Sequence, residues 1–336
     1  MSFVHLHLHT EYSLVDSVVR ITSEGENIPG LMDTVARMRM PAVALTDQCN
    51  LFAMVKFYRA AQAAGIKPII GVDLLIREPG ERAEPSRLVL LCQNETGYKN
   101  LTRLVTRSYL EGQTKGVATV DRQWLDAETL SGLIALSGAR EGDVGRAIVA
   151  GRYDEARAQL ERWLELLGDR YYLELQRTGR PGEEAYLRGA IDLAIDMGVP
   201  VVATNDVRFI RPEDFDAHEV RVCIHDGVVL DDPKRPRRYS EQQYLRSPQE
   251  MAELFKDIPE AIENSVEIAR RCSLEVKLGK SVLPAYPVPE GMTTESYLRQ
   301  EAQRGLERRL EQLMKGPTTR PIEREAYERR LETELG

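Results

Sequence analysis

The sequence has few cysteines and no long apolar run. Its cysteines, Cys49, Cys92, Cys223 and Cys272, are widely spaced and form no C-x-x-C pair. This spacing argues against a zinc ribbon and against a disulfide framework. No apolar run approaches the roughly 20 residues that span a bilayer, and the chain does not open with a basic segment followed by an apolar one. We therefore expect reduced thiols, no membrane segment and a cytoplasmic protein.

The sequence also lacks the common phosphate-binding loops and any excess of basic residues. None of the patterns G-x-x-x-x-G-K-[ST], G-x-G-x-x-G and G-x-S-x-G occurs, so the common kinds of nucleotide binding have no support. The net charge of -8 opposes nucleic-acid binding over the whole surface, because phosphate contacts depend on Lys and Arg. The basic segment Lys234 to Arg238 could make a local contact, but a solvated loop is the favoured interpretation.

Histidines are scarce, yet three of the five lie in one stretch near the N-terminus. His5, His7 and His9 alternate with apolar residues, and in a β-strand such alternation places all three imidazoles on one face. Two imidazoles two residues apart on a strand can bind one divalent ion. The alternative is an exposed polar face of an edge strand.

Short apolar runs alternate with amphipathic helical stretches along most of the chain. The helical stretches are Leu31 to Met38, Met54 to Ala64, Ala147 to Leu167 and Glu183 to Met197. Seven runs are predicted strands: Phe3 to Leu8, Ala42 to Thr46, Pro68 to Leu74, Leu88 to Leu91, Gly132 to Ser137, Tyr171 to Leu175 and Val199 to Thr204. This alternation predicts an α/β fold with a parallel sheet, closed or nearly closed into a β/α barrel.

Polar side chains with metal-binding groups lie in or directly after several of these strands. In a β/α barrel the carboxyl ends of the strands meet at one face, so a single cleft can collect such residues. The residues are His7, His9, Asp16, Asp47, Asp73, Glu174, Asn205 and Asp206. This chemistry suits a multi-metal phosphoesterase. Asp16 could instead cap a turn, and Asp47 could bind loop amides. A structural role is favoured for His218.

The pattern changes near the C-terminus. Residues 283–289 contain three prolines, which favour an extended connector and predict a boundary between residues 1–282 and 283–336. Beyond it, Thr294 can cap a helix with an apolar stripe, and a charged helix follows from about Arg324. These helices have too little apolar surface to form a domain alone, so we expect the chain to be part of a longer protein.

Several local motifs together resemble the N-terminal part of the bacterial replicative DNA polymerase III alpha subunits, a family that begins with a polymerase-and-histidinol-phosphatase (PHP) domain. The resemblance extends over essentially the whole chain. Its motifs are the segments His5 to Ser13 with Asp16, Leu45 to Asp47, Gly65 to Asp73, Asn94 to Leu101, Ala203 to Phe209 and Asp231 to Arg237.

The resemblance implies a distorted seven-stranded β/α barrel, similar to a TIM barrel, followed by the start of the polymerase palm region. The polymerase aspartates of the family would lie beyond Gly336, so this chain should not itself polymerise DNA. The positions that match PHP metal ligands are His7, His9, Asp16, Asp73 and Asp206, with Asp73 where the family usually has Glu.

Other positions depart from the family pattern. Gln48 and Arg208 stand where histidines are usual, Tyr109 matches another such position, and Ala139 stands where Cys or His is frequent. Arg208 matters most, because a fixed positive charge beside Asp206 can neutralise that acid and disfavour a metal. The ligand set is therefore expected to be vestigial.

The favoured hypothesis is a catalytically inactive PHP domain that acts as a scaffold and docks the proofreading exonuclease subunit of the replicative polymerase. No cofactor is expected in this chain apart from residual Zn or Mn, whereas the parent polymerase would use Mg and bind DNA. The alternative is an active metal-dependent phosphoesterase or 3'-5' exonuclease using the five matched residues. A DNA-binding module is the least favoured hypothesis, so DNA affinity of this chain should be weak or absent.

Overall fold

The computed structural model describes residues 2–25, 28–78, 84–281, 283–315 and 323–336. The chain divides into two compact units, Met1–Val276 and Lys277–Gly336. The predicted boundary at residue 282 falls on a position outside the described residues. Within the described residues, no helix is both long and apolar enough to span a membrane.

The first unit is built on a curled sheet. Its strands within the described residues are β1 (Ala42–Leu45), β2 (Lys67–Arg77), β3 (Ser86–Cys92), β4 (Val120–Asp121), β5 (Leu133–Leu136), β6 (Tyr171–Leu175) and β7 (Val201–Ala203). They lie in the order β1-β2-β3-β5-β6-β7, with the two-residue β4 beside the end of β2. Six of the seven predicted strands are confirmed. β4 was missed because so short a strand carries no periodic pattern.

The expectation of an all-parallel sheet is wrong at β3. The pairs β1–β2, β5–β6 and β6–β7 are parallel, but β3 runs antiparallel to both β2 and β5. Only residues 78–85 separate β2 from β3. A parallel crossover needs a dozen or more residues, whereas a hairpin needs few, so this connection reverses the chain direction. The amino end of β3 therefore lies at the same end of the sheet as the carboxyl ends of its neighbours.

The N-terminal segment fills the gap between the two edge strands. On one side, the amides of Ala44 and Thr46 donate to the carbonyls of His5 and Leu8 at 2.9 and 3.0 Å. On the other side, the amides of His9 and Val207 donate to carbonyls across the gap at 3.0 and 3.1 Å. The segment thereby completes a distorted seven-stranded β/α barrel, as predicted.

This segment is not a regular strand, and the expected alternation of its side chains is wrong. The backbone bends at His7. Val4 and Leu6 belong to the apolar cluster that includes residues of β3, β5 and β7, whereas Leu8 belongs to the other cluster. In a straight strand the side chains of His5 and His7 would lie on the same face. Because the chain changes face here, they do not.

Eleven α-helices lie in the described part of the chain. Their bounds are α1 (Leu31–Arg37), α2 (Met54–Ala63), α3 (Glu95–Leu110), α4 (Asp143–Val149), α5 (Tyr153–Leu167), α6 (Glu183–Met197), α7 (Phe215–Asp226), α8 (Pro248–Leu254), α9 (Pro259–Arg271), α10 (Thr294–Lys315) and α11 (Arg324–Leu335). The single helix predicted from Ala147 is in fact α4 and α5, interrupted where Gly151 adopts φ 72°. The buried residues Ile268 and Ala269 of α9 join the second apolar cluster.

The second unit contains α10 and α11, as predicted. Arg299 on α10 pairs with Glu332 on α11 at 2.5 Å, and Arg324 pairs with Glu307. Thr293, rather than the predicted Thr294, caps α10, because its hydroxyl accepts from the amide of Ser296 at 3.1 Å.

Candidate metal centre

Two histidines and one aspartate form the centre of the site. The Nε2 atom of His9 lies 3.1 Å from Oδ2 of Asp73, and Nε2 of His7 lies 3.4 Å from the same oxygen. All three side chains are buried. One donor atom from each lies within 4.8 Å of the others, a spacing that one ion could bridge. The bend at His7 and the position of Asp73 within β2 bring the three together.

The other two predicted ligands complete the cluster. Asp16 lies 2.9 Å from Nδ1 of His9, and Asp206 lies 3.4 Å from Nε2 of His7. Asp206 follows β7 with φ 45°, an unusual conformation for a non-glycine residue. All five predicted ligands therefore meet at the end of the barrel where the carboxyl ends of β1 and β7 lie.

Arginine side chains form ion pairs with the carboxylates of this cluster. Arg208 is fully buried and pairs with Asp16 at 2.5 Å and with Asp206. Arg87 pairs with Asp73, and its Nη2 lies 3.7 Å from Asp16. Arg180 reaches the second oxygen of Asp206 at 3.2 Å. Each of the three aspartates thus has at least one guanidinium partner.

The ion pairs change the proton affinity of the acids and of His7. Burial alone would raise the pKa of Asp16, Asp73 and Asp206, yet Arg208 and Arg87 outweigh it and hold all three well below the usual range. Burial opposes protonation of His7, but the carboxylates of Glu174 and Asp206 raise its pKa to about 10. These carboxylates favour the protonated form of His7, whose Nδ1 lies 2.7 Å from Oε1 of Glu174.

A family model described as the PHP domain matches residues 5–178, more than half of the 336 residues. The chain belongs to the PHP-domain family. The match begins at His5, so it includes His7, His9, Asp16 and Asp73.

Curated relatives match over almost the whole chain. The DNA polymerase III subunit alpha of Pseudomonas fluorescens is 52% identical over 99% of this chain, and that of Pseudomonas aeruginosa is 51% identical over 100%. The same subunit of Escherichia coli K12 is 50% identical over 99%. The chain covers 28% of the length of each of these relatives.

Several other predicted site residues have structural roles in this PHP domain. The carboxylate of Asp47 accepts hydrogen bonds from the amide of Thr10 at 2.6 Å and from the hydroxyl of Ser13 at 2.9 Å, so it orders a loop. Asn205 donates to the carbonyls of Gln242 and Tyr244 at 2.7 and 2.8 Å.

The two remaining buried histidines bind backbone carbonyls. The Nε2 atom of His5 lies 2.8 Å from the carbonyl oxygen of Arg246, outside the cluster. The Nε2 atom of His218 lies 3.1 Å from the carbonyl oxygen of Asp16, which agrees with the structural role favoured for it. Burial lowers the pKa of both imidazoles.

The positions that depart from the family pattern supply no imidazole. Gln48 accepts a hydrogen bond from Arg87 at 3.3 Å. Ala139 is buried and has no polar side chain. Tyr109 lies on α3 and is 40% exposed. Arg208, the fourth of these positions, is paired to two acids. The imidazoles of the cluster are therefore those of His7 and His9.

Sequence reasoning missed Arg87, Arg180 and Glu141. Arg87 lies at the amino end of β3, which reaches the site only because β3 is antiparallel to its neighbours. Arg180 follows β6, and Glu141 follows β5 and accepts from Arg87 at 3.0 Å. For Arg180 and Glu141 the place after a strand was a usable signal, whereas Arg87 precedes most of its strand and arginine is not a metal-ligand type.

The donor set does not fit a multi-metal cluster. Arg208 and Arg180 hold both oxygens of Asp206, and Gln243 also donates to one of them at 2.8 Å. One feature favours a single ion, since His7 Nε2 and Asp73 Oδ1 are buried and lack a hydrogen-bond partner among the described residues. The Arg87 guanidinium pairs with the other carboxylate oxygen of Asp73, Oδ2.

Proposed function

We propose that this PHP domain is a non-catalytic scaffold within a replicative DNA polymerase. The observation that carries the proposal is the pairing of Arg208 with both Asp16 and Asp206. In a metal-dependent PHP site these carboxylates would bind ions. Here a fixed guanidinium neutralises them.

Electrostatics support this assignment. A divalent ion about 4 Å from a guanidinium is repelled by roughly 8 kcal/mol at an effective dielectric constant of about 20. Arg208 is fully buried and has two carboxylate partners, so moving it aside would break both pairs. Metal binding at this end of the barrel therefore carries a free-energy cost, from repulsion by Arg208 or from breaking its ion pairs. A neutral imidazole at the same position would not impose this cost.

Metal analysis and a nuclease assay test the proposal together. Protein purified without chelator should contain far less than one zinc or manganese ion per chain and should not hydrolyse DNA ends or phosphoesters. The matched control is the double variant His7→Ala/His9→Ala, which removes both imidazoles of the cluster. Near-stoichiometric metal, with a metal-dependent activity that the control loses, would overturn the scaffold assignment.

The longer chain is proposed to carry out template-directed DNA synthesis. Support comes from the relatives, each a DNA polymerase III subunit alpha of which this chain matches 28%. On this proposal residues 283–336 begin the palm region, and Mg-binding aspartates lie beyond Gly336. The 336-residue chain alone should then show no polymerase activity and little DNA affinity, which fluorescence anisotropy with labelled DNA measures.

The scaffold is proposed to dock the proofreading exonuclease subunit. The basis is the resemblance to the polymerase family together with a barrel whose site is neutralised. Deleting residues 1–280 from the full polymerase should abolish exonuclease binding while the isolated exonuclease remains active. Exonuclease binding that survives this deletion would refute the docking role.

An active metal-dependent phosphoesterase or 3'-5' exonuclease is the second candidate. The unpartnered Nε2 of His7 and Oδ1 of Asp73, with His9 beside them, favour it. It predicts one Zn or Mn per chain, bound with loss of the proton on His7. Asp73→Asn would then abolish both metal content and activity. On the scaffold proposal the wild-type protein has neither bound metal nor activity, so the substitution changes neither measurement.

A further inference from the structure

The connection between α7 and α8 passes over the metal centre. The two imidazoles of the cluster, its three aspartates and Arg208 are each no more than 2% exposed. Within the connection, residues 235–241 form neither helix nor strand. We call these seven residues the strap. Because the groups beneath are buried, water or a small solute can reach them from this side only if the strap moves.

Tyr239 forms the inner face of the strap. Its hydroxyl donates to Oδ2 of Asp16 at 3.3 Å, and its ring lies 4.7 Å from the imidazole of His218 in an edge-to-face arrangement. The guanidinium carbon of Arg208 lies 5.7 Å from the centre of the same ring. His218 is fully buried, and its Nδ1 atom has no hydrogen-bond partner among the described residues. Through Tyr239 the strap therefore covers both His218 and one acid of the cluster.

The carboxyl end of the strap is followed by residues that are firmly bonded to the barrel. The amide of Arg208 donates to the carbonyl of Gln243 at 2.9 Å, and the side chain of Gln243 donates to Oδ2 of Asp206 at 2.8 Å. Asn205 donates to the carbonyl of Gln242 at 2.7 Å. These bonds lie outside the strap, so it can swing outward while they remain in place.

Side-chain contacts hold the rest of the strap closed. Arg235 pairs with Glu219 on α7, and the two side chains are only 7% and 5% exposed. The hydroxyl of Ser240 donates to the carbonyl of Thr178 at 2.6 Å. An ion pair shielded from water is screened less than an exposed pair and is therefore stronger. We expect the Arg235 pair to be the main charged contact that opening must break.

We propose that the strap is a gate over the buried cluster, held closed by the Arg235–Glu219 pair, with Tyr239 as the side chain that blocks entry. Opening breaks a few polar contacts and leaves the strands paired, so it is a local motion. The open state admits water and small polar solutes to Asp16 and His218. This inference goes beyond the scaffold proposal and holds whether or not the cluster binds an ion.

Carbethoxylation by diethylpyrocarbonate, located on each histidine by peptide mass spectrometry, tests the gate. His218 should react slowly in the wild type, because it is reached only in the open state. Arg235→Gln should raise that rate about tenfold, since a shielded charge-assisted hydrogen bond contributes a factor of this order. Arg238→Gln is the matched control. Arg238 pairs with Asp226 at 3.1 Å, but its side chain is 53% exposed, so the rate should change about twofold or less.

A second variant tests the blocking side chain directly. Tyr239→Ala removes the ring that packs on His218, so His218 should then react nearly as fast as His225, which is exposed on α7. His225 itself should react at the same rate in every variant. Unchanged reactivity of His218 in both Arg235→Gln and Tyr239→Ala would overturn the gate, and so would equal effects of Arg235→Gln and Arg238→Gln.

Hydrogen exchange separates opening of the strap from unfolding of the barrel. The amides of β3 should exchange at the wild-type rate in Arg235→Gln; an acceleration there that matches the one at His218 would mean that the barrel unfolds, and would overturn the gate. The wild type provides a check that depends on no variant. Low concentrations of urea should raise β3 exchange more steeply than His218 reactivity, because local opening exposes little surface. Equal urea dependences would overturn the gate.

Discussion

Arg208 donates a hydrogen bond of 2.5 Å to Asp16, a residue 192 positions earlier in the chain. The same guanidinium pairs with Asp206, and the hydroxyl of Tyr239 donates to Asp16 at 3.3 Å. The Arg208 pairs lie beside the Val207 hydrogen bonds that close the barrel. One cation therefore ties the N-terminal segment to the residues that follow β7.

Replacing Arg208 should destabilise the barrel strongly. Arg208→Met keeps much of the side-chain volume but leaves two buried acids without their main partner. Breaking a buried ion pair in this way costs about 3–5 kcal/mol. We expect a loss of this size in the free energy of unfolding, measured by urea denaturation at neutral pH.

The control for that measurement is an exposed ion pair. Arg152 lies 2.6 Å from Glu155, and both side chains are substantially exposed. Arg152→Met should cost less than about 1 kcal/mol. Similar losses for the two variants would show that burial of Arg208 contributes nothing, contrary to the proposed role of its ion pairs.

Asp47 should matter for stability even though it binds no metal in the proposed arrangement. Its carboxylate accepts from the amide of Thr10 and from the hydroxyl of Ser13, and Asp47→Ala would leave these buried donors unpaired. We expect a loss of about 2–3 kcal/mol in the free energy of unfolding. The control is Asp126→Ala in the exposed turn with Thr129, where water replaces the carboxylate. Equal losses would refute the assignment.

Stability should fall as the pH drops from about 6.5 to 4, and His5 should contribute to that fall. Burial lowers the pKa of His5 from its ordinary value of about 6.5 to about 4. Between these values the unfolded chain binds more protons than the folded one, so acid favours unfolding by at most about 1.4 kcal/mol per pH unit. His5→Gln can still donate to the Arg246 carbonyl but does not titrate. Urea denaturation across this range should show that the free energy of unfolding changes less steeply with pH in the variant. An unchanged slope would show that His5 does not contribute to the loss of stability.

Much of the fold and the ligand set could be predicted from the sequence. The apolar runs located six strands because buried strands need them. The polar residues predicted to lie in or directly after strands include His9, Asp73 and Asp206, and these three do meet at one end of the barrel. Arg208 could be singled out because its charge contrasts with the imidazole that the family pattern leads one to expect.

The remainder depends on contacts that the sequence does not specify locally. The antiparallel direction of β3 decides that Arg87 reaches Asp73, and the short connection before β3 was its only signal. The bend at His7 moves His5 out of the site, although the alternation of residues favours its inclusion. Both features arise when the strands close into a barrel, so no single segment of the sequence specifies them.

Metal ions should not stabilise the wild-type protein, but they should stabilise Arg208→Met. An ion present at about 100 times its Kd adds about 2.7 kcal/mol to the stability of the folded state. For a domain of this size that gain raises Tm by roughly 5 °C or more. Wild-type Tm should therefore be unchanged by chelator and by excess Zn or Mn, because Arg208 already neutralises Asp16 and Asp206. In Arg208→Met the same acids are released next to His7 and His9, and differential scanning calorimetry should show a metal-dependent rise. A wild-type rise of that size would instead mean that the buried donors of His7, His9 and Asp73 bind an ion despite the neighbouring guanidinium groups.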